Sequence, residues 1–137
     1  MIYSFDIESG NFTGAGHASS SVKKILKQLN VDNSIIKRVV VALFEAEINV
    51  VAHADHGNIK IILDNQEIRM IVKDKGPGIP DIGMAMKEGY STASQKVREM
   101  GFGAGMGLPN IKRNTDEFNI ESIVGEGTCL EMAVYLN

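Results

Sequence analysis

Glu45 and Asn49 stand four residues apart in a stretch without Gly or Pro, so on a helix both project from one face, with His53 one turn further along. An amide oxygen is a good ligand for a hard cation such as Mg2+, which keeps several waters and is commonly shared between one or two protein oxygens and phosphates. A carboxylate one turn away is placed to orient or deprotonate an attacking hydroxyl or water. The solvated side of an amphipathic helix would carry the same residue types, so this face alone does not decide the matter.

Three other short elements have chemistry available to them. Asp74-Lys75-Gly76-Pro77-Gly78-Ile79-Pro80 follows an alternating apolar run. An Asp at a strand end can accept a hydrogen bond from an exocyclic amine, and glycines let backbone approach a flat ring closely. A plain Gly/Pro turn would look the same. Gly101-Phe102-Gly103-Ala104-Gly105-Met106-Gly107-Leu108 opens a helical stretch, where unhindered amides make an anion site for phosphates; a hinge is the plainer alternative. It is not a Walker loop, since no Gly-Lys-Ser/Thr follows, and no hydrophobic strand precedes it as a dinucleotide fingerprint requires. Gly127-Thr128 by itself reads as a hairpin turn.

The elements that must position these residues follow from periodicity. Residues 1–8 predict an opening strand, broken by the Gly/Asn/Thr stretch 10–16. Residues 19–30 place Val22, Ile25, Leu26 and Leu29 on one stripe, an amphipathic helix whose first serines suit an N-cap. A second helix runs from Asn33 or Ser34 to about Ala54, with Ile36, Val40, Leu43, Phe44 and Val51 as its apolar stripe. Residues 58–63 and 67–73 alternate around Asp64-Asn65-Gln66 as an antiparallel hairpin that leaves Asp74 at its exit. A short helix from Pro80-Asp81 to Glu88-Gly89, a polar mobile segment over 90–100, a helix over 108–115 and a hairpin of 118–124 with 128–136 complete the order. The expected architecture is α+β: a two-layer sandwich with a mixed sheet and helices on one face.

Composition limits the alternatives. The 137 residues have room for one domain, 1–137, with a single core and a single site. An apolar fraction of 44% and a charged fraction of 23% are those of a folded globular chain. A net charge of -3, with 14 basic residues scattered among 17 acidic ones, argues against direct binding of nucleic acid. Glu45, Glu47 and Asn49 interrupt the longest apolar stretch, so no membrane span is expected. The N-terminus lacks the features of a signal peptide, so the expected location is cytoplasmic. Cys129, in an alternating run, reads as a small buried hydrophobe; His17 and His56 read as surface residues, and the seven methionines as core filling.

Taken in order, the four elements resemble the nucleotide site of the GHKL (Bergerat-fold) ATPase and kinase superfamily. Within it the chain is most similar to the small bacterial anti-sigma factor and serine/threonine kinase group, the RsbT, RsbW and SpoIIAB types. The likeness is greatest to RsbT-type switch kinases, in the run from Asp74 to Ile79, in Asp81-Ile82 with Gly89-Tyr90-Ser91-Thr92, and in the run from Gly103 to Pro109 with Asp116-Glu117-Phe118. The resemblance implies ATP and Mg2+ as cofactors, Asn49 as the Mg2+ ligand and Glu45 as general base for a seryl or threonyl hydroxyl. It further implies that Asp74 reads the adenine amino group with Thr128 nearby, that Gly76 and Gly78 floor the base pocket, and that Gly103, Gly105 and Gly107 hold the phosphates. Ile79 and Leu108 join the nucleotide-binding set, an ATP lid spans 89–107, and Lys96 or Arg98 is a minor candidate for phosphate contact. The stretch 93–100 is longer than the corresponding lid of the switch kinases.

The implied function is a protein serine/threonine kinase of a bacterial partner-switching system. Its implied substrate is a STAS-domain anti-anti-sigma or antagonist protein, and its regulated partner a sigma factor or a PP2C-type phosphatase. The alternative is a non-catalytic, nucleotide-dependent anti-sigma or switch module. A complete sensor histidine kinase is disfavoured, because no phosphoacceptor helix pair precedes the site. The oligomeric state stays open between monomer and homodimer.

Overall fold

The computed structural model describes residues 1–8, 10, 14–87 and 107–137. The expected mobile segment and the lid up to residue 106, with Gly103, Gly105, Lys96 and Arg98, therefore lie outside the described residues. In order, the elements are β1 (Ile2–Glu8), α1 (His17–Gln28), α2 (Asn33–His53), β2 (His56–Leu63), β3 (Glu67–Lys75), α3 (Ile82–Ala85), α4 (Gly107–Arg113), β4 (Glu117–Ile123) and β5 (Gly127–Tyr135).

The strands form one five-stranded sheet in the order β1-β2-β3-β5-β4, and all four neighbouring pairs are antiparallel. The α+β two-layer arrangement is as the sequence predicts, but the sheet is antiparallel rather than mixed. The reason lies in the last hairpin. Strands β3 and β4 do run in the same direction across the crossover, yet β5 folds back between them and pairs with both.

Period-2 patterning separates the two faces of the sheet. Ile59, Ile61, Ile68, Met70, Val72, Leu130, Met132 and Val134 point to the helical layer and are buried. Helix α2 lies across this face, touching β1, β2, β3 and β5, with α1 and α4 on either side of it. Flanked by both helices and the sheet, it buries Ile36, Val39, Ala42, Leu43, Ala46, Ile48, Val50 and Val51, a wider band than a single stripe. That packing holds a β-branched segment helical. Phe44 and Leu29, expected in the apolar stripes, are exposed: Phe44 is at the rim of α2 and Leu29 is the C-cap of α1. Asp32 caps α2 through a hydrogen bond from the Ser34 amide.

The outer face carries an ion-pair cluster. Arg69 reaches Glu67 at 2.9 Å, Glu117 at 3.1 Å and Glu131 at 2.8 Å. Ala133 stands between Arg69 and Glu117 in the register and is fully buried, although it belongs to the solvent-facing side. The guanidinium thus fastens β3, β5 and β4 together and roofs a small apolar spot. Arg69→Ala should lower stability by about 1–2 kcal/mol in urea unfolding, with the loss shrinking as salt is added.

Cys129 is on this outer face, half-buried, and not in the core as expected. Burial pushes its thiol above the ordinary value, which favours the protonated form.

Candidate functional site

Asn49 lies in the penultimate turn of α2, and its amide meets the start of α4. A Cβ at Gly107 would come within 3.1 Å of both Asn49 Oδ1 and Nδ2, so a side chain there would crowd this amide, and glycine lets the α4 backbone lie against it. Glu45 projects from the same side of α2 one turn earlier and is half-buried. His53, one turn beyond, is held below its ordinary pKa by burial, so it is a neutral neighbour at pH 7. Leu108 and Ile111 seat α4 in the core. The Leu108 side chain is therefore a packing group, and its backbone is what a ligand could reach.

Asp74 is the second centre. It is the penultimate residue of β3, half-buried, and its Oδ1 accepts the Thr128 backbone N–H at 3.0 Å. Burial raises its carboxyl above the ordinary range; the Thr128 bond works in the opposite direction, Asp55 adds to the rise and His56 offsets it. A carboxylate kept in a partly desolvated position, with one oxygen engaged among the described residues, can receive a hydrogen bond from an amine at the other.

The loop after Asp74 is fastened at both ends. On one side Gly76 lies against Ala54, the C-cap of α2, where an added Cβ would be 2.9 Å from Ala54 Cα, and the Asp55 amide donates to Lys75 O at 2.7 Å. This places the Asp74 loop at the C-terminal end of the helix that carries Asn49. On the other side Gly78, with φ of 74°, packs against the Ile123 carbonyl, where an added Cβ would be 2.6 Å away. No other residue fits both that backbone angle and that approach.

Ser122, which the sequence did not single out, completes the connection. Its Oγ accepts the Ile79 amide at 2.7 Å, donates to Gly127 O at 3.2 Å and lies 2.9 Å from Thr128 Oγ1. A hydroxyl has one proton, so with that proton on Gly127 O, Thr128 is the donor to Ser122 and keeps its lone pairs for another partner. A lone serine in an edge strand gives no sequence signal for this role; its register opposite Thr128 does.

Asn49, Gly107, Asp74, Gly76, Gly78, Ile79 and Thr128 thus border one region where the C-terminal part of α2, the end of β3, the start of α4 and the β4–β5 turn meet. Glu45 stands at its far edge, one turn up α2. Among the described residues no three His, Cys, Asp or Glu side chains converge on a cation. An amide such as Asn49, with phosphate oxygens and water, would suit a Mg2+ ion here. Among the described residues no helix is long and apolar enough to cross a membrane.

The chain resembles known proteins over most of its length. Residues 13–134 match the family described as histidine kinase-like ATPase domain. The chain is 34% identical over 118 residues to the serine/threonine-protein kinase RsbT of Bacillus subtilis, covering 83% of each chain. It is 33% identical over 125 residues to an anti-sigma F factor of Caldanaerobacter subterraneus, covering 87% of this chain and 83% of that one. Among solved structures, the RsbU and RsbW domains of a Mycobacterium tuberculosis protein superpose with a TM-score of 0.62 at 16% identity. That match covers 96% of this chain and 32% of the other, a likeness of fold.

Proposed function

This chain belongs to the histidine kinase-like ATPase domain family, and from that premise we propose that it is an ATP- and Mg2+-dependent protein serine/threonine kinase of a partner-switching system. Its substrate is a seryl or threonyl hydroxyl on a STAS-domain antagonist, and it regulates a sigma factor or a PP2C-type phosphatase by binding. The observation that carries the reading is the half-buried Asp74 carboxyl, tied by Oδ1 to the Thr128 amide at the edge of the region that also holds Asn49 and Gly107.

Adenine offers two N–H donors on its amino group. Asp74 Oδ2 and the Thr128 hydroxyl lone pairs are acceptors on adjacent strands, while Gly76 and Gly78 keep that side of the loop free of side chains. Gly107 keeps the α4 backbone close to the Asn49 amide, so a phosphate chain lying alongside both would meet backbone N–H groups and a metal-ligating oxygen together. Mg2+, when bound, would neutralise charge on the transferring phosphoryl group. Glu45 would orient the acceptor hydroxyl and take its proton, and the α2 backbone fixes its spacing from Asn49 at one turn.

Asn49 has a test of its own. Calorimetric titration of ADP into wild type should show tighter binding with Mg2+ than with EDTA. In Asn49→Ala that difference should shrink by about 10-fold or more, while binding in EDTA changes little. A Mg2+ dependence identical in the two proteins would place the cation elsewhere.

The reading as a non-catalytic nucleotide-dependent binding module has less support, since the RsbT relative at 34% identity is named a serine/threonine-protein kinase.

A further inference from the structure

Glu47 is a charged residue buried in the core side of the helix that carries Glu45 and Asn49, with only 3% of its surface exposed. The reading of Glu45 as base does not use it. Two residues along a helix is a turn of about 200°, so Glu47 points away from the Glu45 and Asn49 side. Its carboxyl gathers three backbone amides from the start of α1: Oε2 accepts Gly16 N–H at 3.0 Å and Ala18 N–H at 3.3 Å, and Oε1 accepts Ser19 N–H at 3.3 Å, while the single Ser19 hydroxyl proton is shared between Oε1 at 3.3 Å and Gly16 O at 3.1 Å.

Helix α1 needs this. Its N-cap is Gly16, in a left-handed conformation with φ of 93°, and no side chain of its own caps it. The first-turn amides of a buried helix end must be satisfied from somewhere, and a carboxyl there also complements the helix dipole. Two further contacts repeat the attachment along α2. An added Cβ at Gly16 would lie 3.3 Å from the Phe44 ring, and the Gly10 amide donates to Val51 O at 3.0 Å. Phe44, Glu47 and Val51 follow one another at helical spacing, so one side of α2 holds Gly10, Gly16 and the start of α1 while the side facing away from it carries Glu45 and Asn49.

We infer that Glu47 is a positioning residue: it locks the N-terminus of α1 onto α2 and so fixes the azimuth at which α2 presents Glu45 and Asn49. The inference rests on the proposed kinase reading for its effect on catalysis, but the lock itself does not. Serines at positions 19–21 suggest a local cap in the sequence; the cap instead comes from 28 or more residues away.

Glu47→Gln is the informative variant, because it keeps the size of the side chain but replaces one accepting oxygen with a donating NH2 that faces N–H groups. Val22→Ala, which thins the α1 packing without touching the cap, is the control for simple loss of stability. Amide exchange followed by NMR in the nucleotide-free protein should speed up by about tenfold at Ala18 and Ser19 in Glu47→Gln. At a temperature where both variants are fully folded, kcat for phosphoryl transfer should fall by about tenfold in Glu47→Gln with KM for ATP changed less than about threefold, and hold in Val22→Ala. Unchanged exchange at Ala18 and Ser19 overturns the lock. Equal kcat losses in both variants overturn the positioning role. If wild type transfers no phosphate, the kinase reading fails by itself, and the exchange result still decides whether Glu47 holds α1.

Discussion

Asparagine in place of Asp74 is expected to weaken adenine nucleotide binding by about 10- to 100-fold while leaving the nucleotide-free protein at least as stable as wild type. The two effects have one cause. In Asp74→Asn the remaining side-chain oxygen still accepts the Thr128 amide, so the tie between β3 and β5 survives. The atom facing the adenine amino group would then be an NH2, and two donors would oppose each other across a partly desolvated gap. In the nucleotide-free protein the same change removes a charge that burial disfavours.

The sign of the pH dependence follows. The folded-state pKa of Asp74 is raised, so its favourable contribution is complete below the ordinary carboxylate value and is lost as pH rises through the raised one. The asparagine variant does not titrate. Its melting temperature should match wild type in acid and exceed it near neutral pH. Differential scanning fluorimetry across that range, with and without ADP, reads both effects. A variant that binds ADP as wild type does would remove Asp74 from the adenine contact.

Replacing Glu45 with alanine should lower kcat for phosphoryl transfer by about 100- to 10,000-fold, the usual contribution of a positioned general base, with nucleotide affinity changed less than about threefold. Glu45 stands one turn from Asn49 and apart from the Asp74 and Thr128 pair, so adenine and metal contacts should survive its loss. It is half-buried on a helix whose neighbouring residues Ala46 and Glu47 are buried, so truncation removes little packing. Single-turnover transfer measured beside ADP titration separates the two effects. Loss of nucleotide binding in proportion to kcat would make Glu45 a binding residue instead.

Much of this is legible in the sequence because it is local. Alternation in β2, β3 and β5, the long uninterrupted α2 and the Gly/Pro loop after Asp74 are patterns within a few residues of one another, and the structure has them where periodicity puts them. What is not legible depends on distant pairing. Insertion of β5 between β3 and β4 makes the sheet antiparallel, and nothing within either strand encodes which neighbour it takes. Ser122 joins the site only because its register sets it opposite Thr128. Glu47 interrupts an apolar run just as Glu45 does, and by residue type alone both read as marks against a membrane span. The available signal is its phase: flanked by buried Ala46 and Ile48, it falls on the core side of α2, where a charge requires a partner.

The central proposal is that the region bordered by Asn49, Asp74 and Gly107 binds ATP so that its terminal phosphoryl group passes to a protein hydroxyl. The most direct measurement is intact-mass spectrometry of a candidate STAS-domain protein after incubation with this chain and Mg-ATP. The account predicts the gain of one phosphoryl group on a Ser or Thr with wild type, and none with Glu45→Ala or Asp74→Asn. Binding of ATP by wild type with no phosphate on the STAS protein would contradict it, as would equal phosphorylation by all three proteins.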